Sequence, residues 1–259
     1  MASRAEQKAA ARAAREARQK QVSVAQARRA RLIWLGGLIA VVVAALVIVI
    51  VLGGGSNSAT EGARTARANV IALLKGIPEH DNVLGQPTAP VTITEFGDLA
   101  CPACQAFALS SEQQLISHDV RDGTVKLAYR GMETASQDAN AGEYTAGQIA
   151  ARAAGLQNRE WYYVLLWYHE QQSEDTPYVT DAFMQGLASQ VPGLNLARWE
   201  ADRNDPALPN DVTHDTQTAN TDGFDATPSL TFTGPKGHLQ PISAVPTYAG
   251  LTAAIKALQ

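Results

Sequence analysis

The chain of 259 residues contains only two cysteines, Cys101 and Cys104. That scarcity excludes a disulfide-dense scaffold and a structural zinc module, which needs four ligands. The five histidines, His80, His118, His169, His214 and His238, are scattered and match no metal-ligand spacing. Basic residues are scarce beyond position 31, where twelve Lys and Arg face twenty-three Asp and Glu. No basic patch with interleaved aromatics occurs there, which argues against nucleic-acid binding. Internal repeats are absent. Long apolar runs are absent too, with one exception near the N-terminus.

That exception is Leu32 to Leu52, which contains no charged residue. Its length, about 31 Å as a helix, matches a bilayer core of roughly 30 Å. It exceeds the apolar core of a typical cleaved signal peptide. Nine Lys and Arg stand against Glu6 and Glu16 in residues 1–31. This charge places the N-terminus in the cytoplasm and the rest outside. The segment therefore reads as an uncleaved signal anchor in contact with membrane lipid. Small residues across Ser56–Ala63 leave a cleaved signal peptide as the alternative. Gly53-Gly54-Gly55-Ser56-Asn57-Ser58 forms a flexible tether. The domain reading is a basic cytoplasmic tail (1–31), a transmembrane signal anchor (32–52), a linker with a short helix (53–80) and a folded domain (81–259).

The two cysteines form Cys101-Pro102-Ala103-Cys104. Val91 to Phe96 upstream alternates apolar and polar residues and predicts a strand. The segment from Gln105 to Leu109 begins a helix. A CxxC at such a junction places two sulfurs one turn apart. The first lies at the positive end of a helix, where a thiolate is favoured. Pro102 suits the first helical position, which needs no N–H partner. Further on, the sequence predicts a strand at 125–130, helices near 137–156, 159–172, 181–189, 196–203 and 212–221, a hairpin of 229–233 with 239–242, and a helix at 248–258. Trp161, Val164, Leu165 and Tyr168 occupy one-face spacing, and the aromatics of this segment read as core. The fold class is α/β: a thioredoxin-like fold with a helical insertion at about 136–212, preceded by one transmembrane helix.

Val83-Leu84-Gly85, Ala89 to Ile93, Glu95 to Asp98, the CPAC motif, Tyr129-Arg130 and Ala226-Thr227-Pro228-Ser229 together resemble the DsbA-like branch of the thioredoxin superfamily, in its membrane-anchored Gram-positive form. The resemblance covers about residues 82–259. It implies that Cys101 is the nucleophile and Cys104 the resolving sulfur. It implies a cis peptide at Thr227-Pro228, with the Thr227 backbone available to pair with an extended substrate. Glu95 matches a buried glutamate of the family and would carry protons to and from Cys104; the residues alone also allow a strand residue facing solvent or a base. Asp98 reads mainly as a loop or cap residue. The resemblance implies no cofactor. It implies exported cysteine-containing proteins as substrates and a membrane reoxidant of DsbB-like or vitamin K epoxide reductase-like type.

The implied activity is the introduction of disulfides into exported proteins. Its strength depends on how far the Cys101 thiolate is stabilised. Lowering a thiol by about three pKa steps of roughly 1.4 kcal/mol each favours the reduced form by about 4 kcal/mol, on the order of 85 mV for two electrons. Relatives with His before the second cysteine gain extra stabilisation. Ala103 supplies none, which predicts a milder oxidant. Three other readings stay open on the residues alone. One is a reductase or isomerase using the same pair. Another is a membrane-tethered binding or scaffold protein in which CPAC is only a staple. The last is a carrier of a soft metal on two thiolates.

Overall fold

The computed structural model describes residues 61–134, 141–173 and 176–259. The basic tail, the apolar run at 32–52 and the glycine tether lie outside the described residues. Among those described, no helix is long and apolar enough to cross a membrane. Gly62–Gln259 forms one compact unit.

Its centre is the parallel pair β3 (Val91–Gly97) and β4 (Val125–Gly131), with Glu95 opposite Tyr129. In β4 the alternation is strict: Val125, Leu127, Tyr129 and Gly131 are buried, while Lys126, Ala128 and Arg130 are half-buried. Such period-two burial is what a pleated strand imposes. β5 (Ser229–Gly234) pairs antiparallel with the other edge of β3, opposing Leu230 to Glu95. β1 (Glu79–His80) and β2 (Val83–Leu84) form a short hairpin added to β4. β6 (Gly237–His238) and β7 (Ile242–Ser243) pair separately with β5. The sheet order is β1-β2-β4-β3-β5-β6, with β7 also on β5. This mixed sheet is the expected thioredoxin-like α/β core.

Helix α1 spans 61–74. After β3 come α2 (Pro102–Ala108) and α3 (Ser111–Leu115), continued by a π-helical turn at Ile116–Val120. Between β4 and β5 lie α4 (Ala141–Gly155), α5 (Glu160–Glu170), α6 (Asp181–Gln190), α7 (Leu196–Asp202) and α8 (Leu208–Thr221). α9 (Tyr248–Leu258) closes the chain and packs on β5.

Several expectations differ from this arrangement. The boundary at 81 falls inside the compact unit, because Val70 and Leu74 of α1 are buried in the main core and β1 belongs to the sheet. The hairpin partner expected at 239–242 is split between β6 and β7. α8 starts four residues before Val212, with a proline in its first turn where no N–H is needed. In α5 the apolar positions are not confined to one face: Trp161 and every residue from Tyr163 to Tyr168 are buried. A helix buried all round is enclosed by other helices rather than laid on a surface.

Candidate redox site

The site lies where β3 ends and α2 begins. Cys101 is the N-cap of α2, with extended backbone, and Pro102 opens the helix. No side chain caps this end, so its backbone N–H groups are available to the sulfur. Both cysteines are free thiols. Cys101 exposes 7% of its surface and Cys104 exposes 0%. Pro102 is exposed, while Ala103 is half-buried and packs on the core.

The Thr227–Pro228 peptide is cis, as the resemblance implies. The Cys101 thiol donates to the Thr227 carbonyl at 3.4 Å. The site is thus assembled across 126 residues of chain. Ser229 secures the loop, donating to the Ala226 carbonyl at 2.6 Å and meeting the Ser243 hydroxyl at 2.8 Å.

The two sulfurs are driven apart in acidity. Cys101 is lowered to about 6, chiefly by a hydrogen bond from the Cys104 thiol. The Thr227 side chain and the backbone N–H groups of Cys104 and Ala103 add to this and, together, outweigh burial. Cys104 is pushed well above its ordinary value, first by burial and then by the hydrogen bond to Cys101. The surroundings thus favour the thiolate at Cys101 and the thiol at Cys104. Disulfide exchange uses such an asymmetry, since a thiolate attacks and leaves.

Asp98 is more than a loop residue. It is fully buried, and its carboxylate accepts from the Ala100 N–H at 2.9 Å and the Thr134 N–H at 2.8 Å. Its carbonyl accepts from the Cys101 N–H at 3.0 Å. Thr134 in turn meets Thr227, hydroxyl to hydroxyl, at 2.6 Å. One carboxylate thus ties the cysteine loop to the Thr-Pro loop. The aromatics of α5 also reach the site. Trp167 donates to the Leu99 carbonyl at 2.8 Å, and Tyr168 to the Asp98 carbonyl at 3.4 Å. Gln171, just beyond α5, donates to the Ala100 carbonyl at 2.7 Å. The helical insertion therefore holds the loop before Cys101 by its backbone carbonyls.

Glu95 is buried, not facing solvent or a base. Its carboxyl meets that of Glu112, from α3, and burial raises it well above the ordinary carboxylate range. Thr134, Gln171 and Glu112 were not legible as site residues. They reach the site only through tertiary packing and carry no local motif. Among the described residues, no group of three or more His, Cys, Asp and Glu could hold a metal ion.

The family model described as thioredoxin matches residues 78–257. The chain belongs to the thioredoxin family. This family member is 22% identical, over 154 residues, to a protein of Bacillus cereus named probable disulfide bond formation protein D. The match covers 58% of this chain and 69% of that one. Solved structures share its fold, two of them as follows. Oxidised BdbD of Bacillus subtilis superposes with a TM-score of 0.59 at 19% identity, covering 70% of this chain and 95% of that one. DsbA2 of Pseudomonas aeruginosa gives 0.56 at 22% identity, covering 71% and 97%. The fold is that of the DsbA-like members of the family.

Proposed function

We propose that this protein is an extracytoplasmic thiol–disulfide oxidoreductase that introduces disulfides into exported proteins through Cys101 and Cys104. The observation that carries the reading is the opposed acidity of the two sulfurs beside the Thr227 carbonyl. A substrate thiolate attacks the Cys101 sulfur of the oxidised pair, the bond between the two cysteines breaks, and a mixed disulfide forms. A second substrate thiolate attacks the substrate sulfur, and Cys101 leaves as the thiolate its surroundings favour. Thr227 and Pro228 line the approach, and the Thr227 backbone positions the substrate chain. Pro102 and Ala103 tune the potential.

The apolar run at 32–52 and the basic tail before it support a single-pass anchor with the catalytic domain outside the cytoplasm. The names of the relatives support disulfide formation as the direction of electron flow. A membrane reoxidant of DsbB-like or vitamin K epoxide reductase-like type would then restore the disulfide.

Oxidative refolding of a reduced multi-disulfide protein tests the reading. The oxidised protein is expected to restore the substrate's activity, and Cys101→Ala to abolish this. Given a disulfide-bonded substrate instead, Cys104→Ala is expected to accumulate mixed disulfides, because the Cys101 thiolate attacks the substrate's S–S bond and no second sulfur resolves the product. Absence of any mixed disulfide with Cys104→Ala would overturn the proposal.

A further inference from the structure

Glu95 and Glu112 stand 2% and 1% exposed, on β3 and α3. Their carboxyls interact with each other, and Glu95 also interacts with Cys101 and Cys104. Both oxygens of Glu95 and Oε2 of Glu112 lack any conventional donor. The ionisable groups around Glu95 are Glu112 from α3, Cys101 and Cys104 from the α2 turn, Tyr129 from β4 and Tyr168 from α5. All are acids. Two carboxylates buried together without a cation cannot both ionise. A proton held between them supplies the donor that the orphaned oxygens lack.

We propose that Glu112 is a positioning residue of the redox reaction: it shares protons with Glu95, and the two carboxyls act as one store that protonates the Cys104 sulfur as it leaves. This rests on the disulfide-exchange reading above. When the substrate thiolate attacks Cys101, the electron pair of the broken S–S bond goes to Cys104. That sulfur is fully buried and must take a proton. A doubly protonated pair gives one through Glu95. The remaining proton stays between the two carboxyls, so no lone buried carboxylate is left. Water later returns the proton released by the second substrate thiol. Burial raises both carboxyls, which keeps the pair protonated toward neutral pH.

The test measures mixed-disulfide formation by the oxidised full-length protein with a reduced cysteine peptide, across acid to alkaline pH. It compares wild type, Glu95→Gln, Glu112→Gln and the double variant. Using one peptide throughout cancels its own titration. Wild type is expected to show a titration in the neutral range that both single variants lose. On its acid side each variant is expected to be slower by about a hundredfold, the lower end of general-acid effects. The double variant is expected to be no slower than either single one, because one unit has been broken once. Glu112→Asp is expected to restore part of the rate. A Glu112→Gln profile that keeps the neutral titration, or a double variant showing the product of two independent losses, would overturn the proposal. A wild-type protein that neither forms a mixed disulfide nor oxidises the peptide would overturn the exchange reading itself.

Discussion

The hydroxyls of Thr134 and Thr227 meet at 2.6 Å, joining the end of β4 to the loop that faces Cys101. Thr134 is itself held by Asp98, so one buried carboxylate controls both sides of the redox pair. Removing it strands the Ala100 and Thr134 N–H groups. Asp98→Ala is expected to destabilise the domain by about 3 kcal/mol or more, since each hydrogen bond to a charged group contributes about 1.5–3 kcal/mol. Urea unfolding measures this. A loss under about 0.5 kcal/mol, the ordinary range for surface changes, would contradict the clasp.

Thr227 also bears on the chemistry. Its side chain helps lower Cys101. Thr227→Val is expected to raise the Cys101 thiol above about 6 while leaving the fold intact. Thiolate absorbance against pH reads the change. An unaltered titration would show that the hydroxyl contributes nothing.

The acidity of Cys101 has a signature in stability. In the reduced protein Cys101 titrates near 6 when folded, against 9.0 as an ordinary thiol. Between these values the folded form binds fewer protons than the unfolded one. Stability therefore rises with pH across that window and is lost as pH falls through about 6. Buried Glu79 and Glu160 act oppositely: burial raises them to about 8 and about 7, so their contribution fades as pH rises above the ordinary carboxylate range. Both carboxylates are present in either redox state. The reduced-minus-oxidised stability difference is thus expected to increase from about pH 6 to about pH 9. A flat difference would mean that Cys101 is not lowered.

β3 was legible from the alternation of Val91 to Phe96, and β4 as a strand at 125–130 whose burial alternates strictly. The CPAC motif was legible because its chemistry depends on local spacing. The Thr-Pro loop was legible only through the family resemblance. Glu112 was not, since a lone Glu in a polar stretch gives no sign of burial. Nor was the role of α5. Trp and Tyr signal burial, but their polar ends choose partners only in three dimensions, as Trp167 does at Leu99. The short hairpin of β1 and β2 was lost among turn residues, because two-residue strands carry no periodicity.

That last contact makes its own prediction. Trp167→Phe keeps an aromatic ring and leaves the buried Leu99 carbonyl without its donor. A loss of about 1–3 kcal/mol is expected, against about 3–5 kcal/mol for Trp167→Ala. Thermal unfolding of the two variants should separate them. Equal losses would show that the indole N–H does not hold the loop.

Close packing around Glu95 predicts a severe small-to-large substitution. A Cβ on Gly97 would lie 2.8 Å from the Tyr129 ring, 3.1 Å from Glu95 Oε1 and 3.2 Å from the Tyr168 hydroxyl. Gly97→Ala is expected to cost about 1–3 kcal/mol through overpacking. A variant as stable as wild type would show that the cluster can yield.

The account stands most directly on the reduction potential of the Cys101–Cys104 pair, measured by equilibration with glutathione. A Cys101 held near 6 stabilises the reduced form and makes the disulfide oxidising. Ala103 adds no charge, so the potential is expected between about −270 mV, typical of thioredoxin, and about −120 mV, typical of a strongly oxidising DsbA. A value at or below about −270 mV would contradict the account and assign the site to reduction.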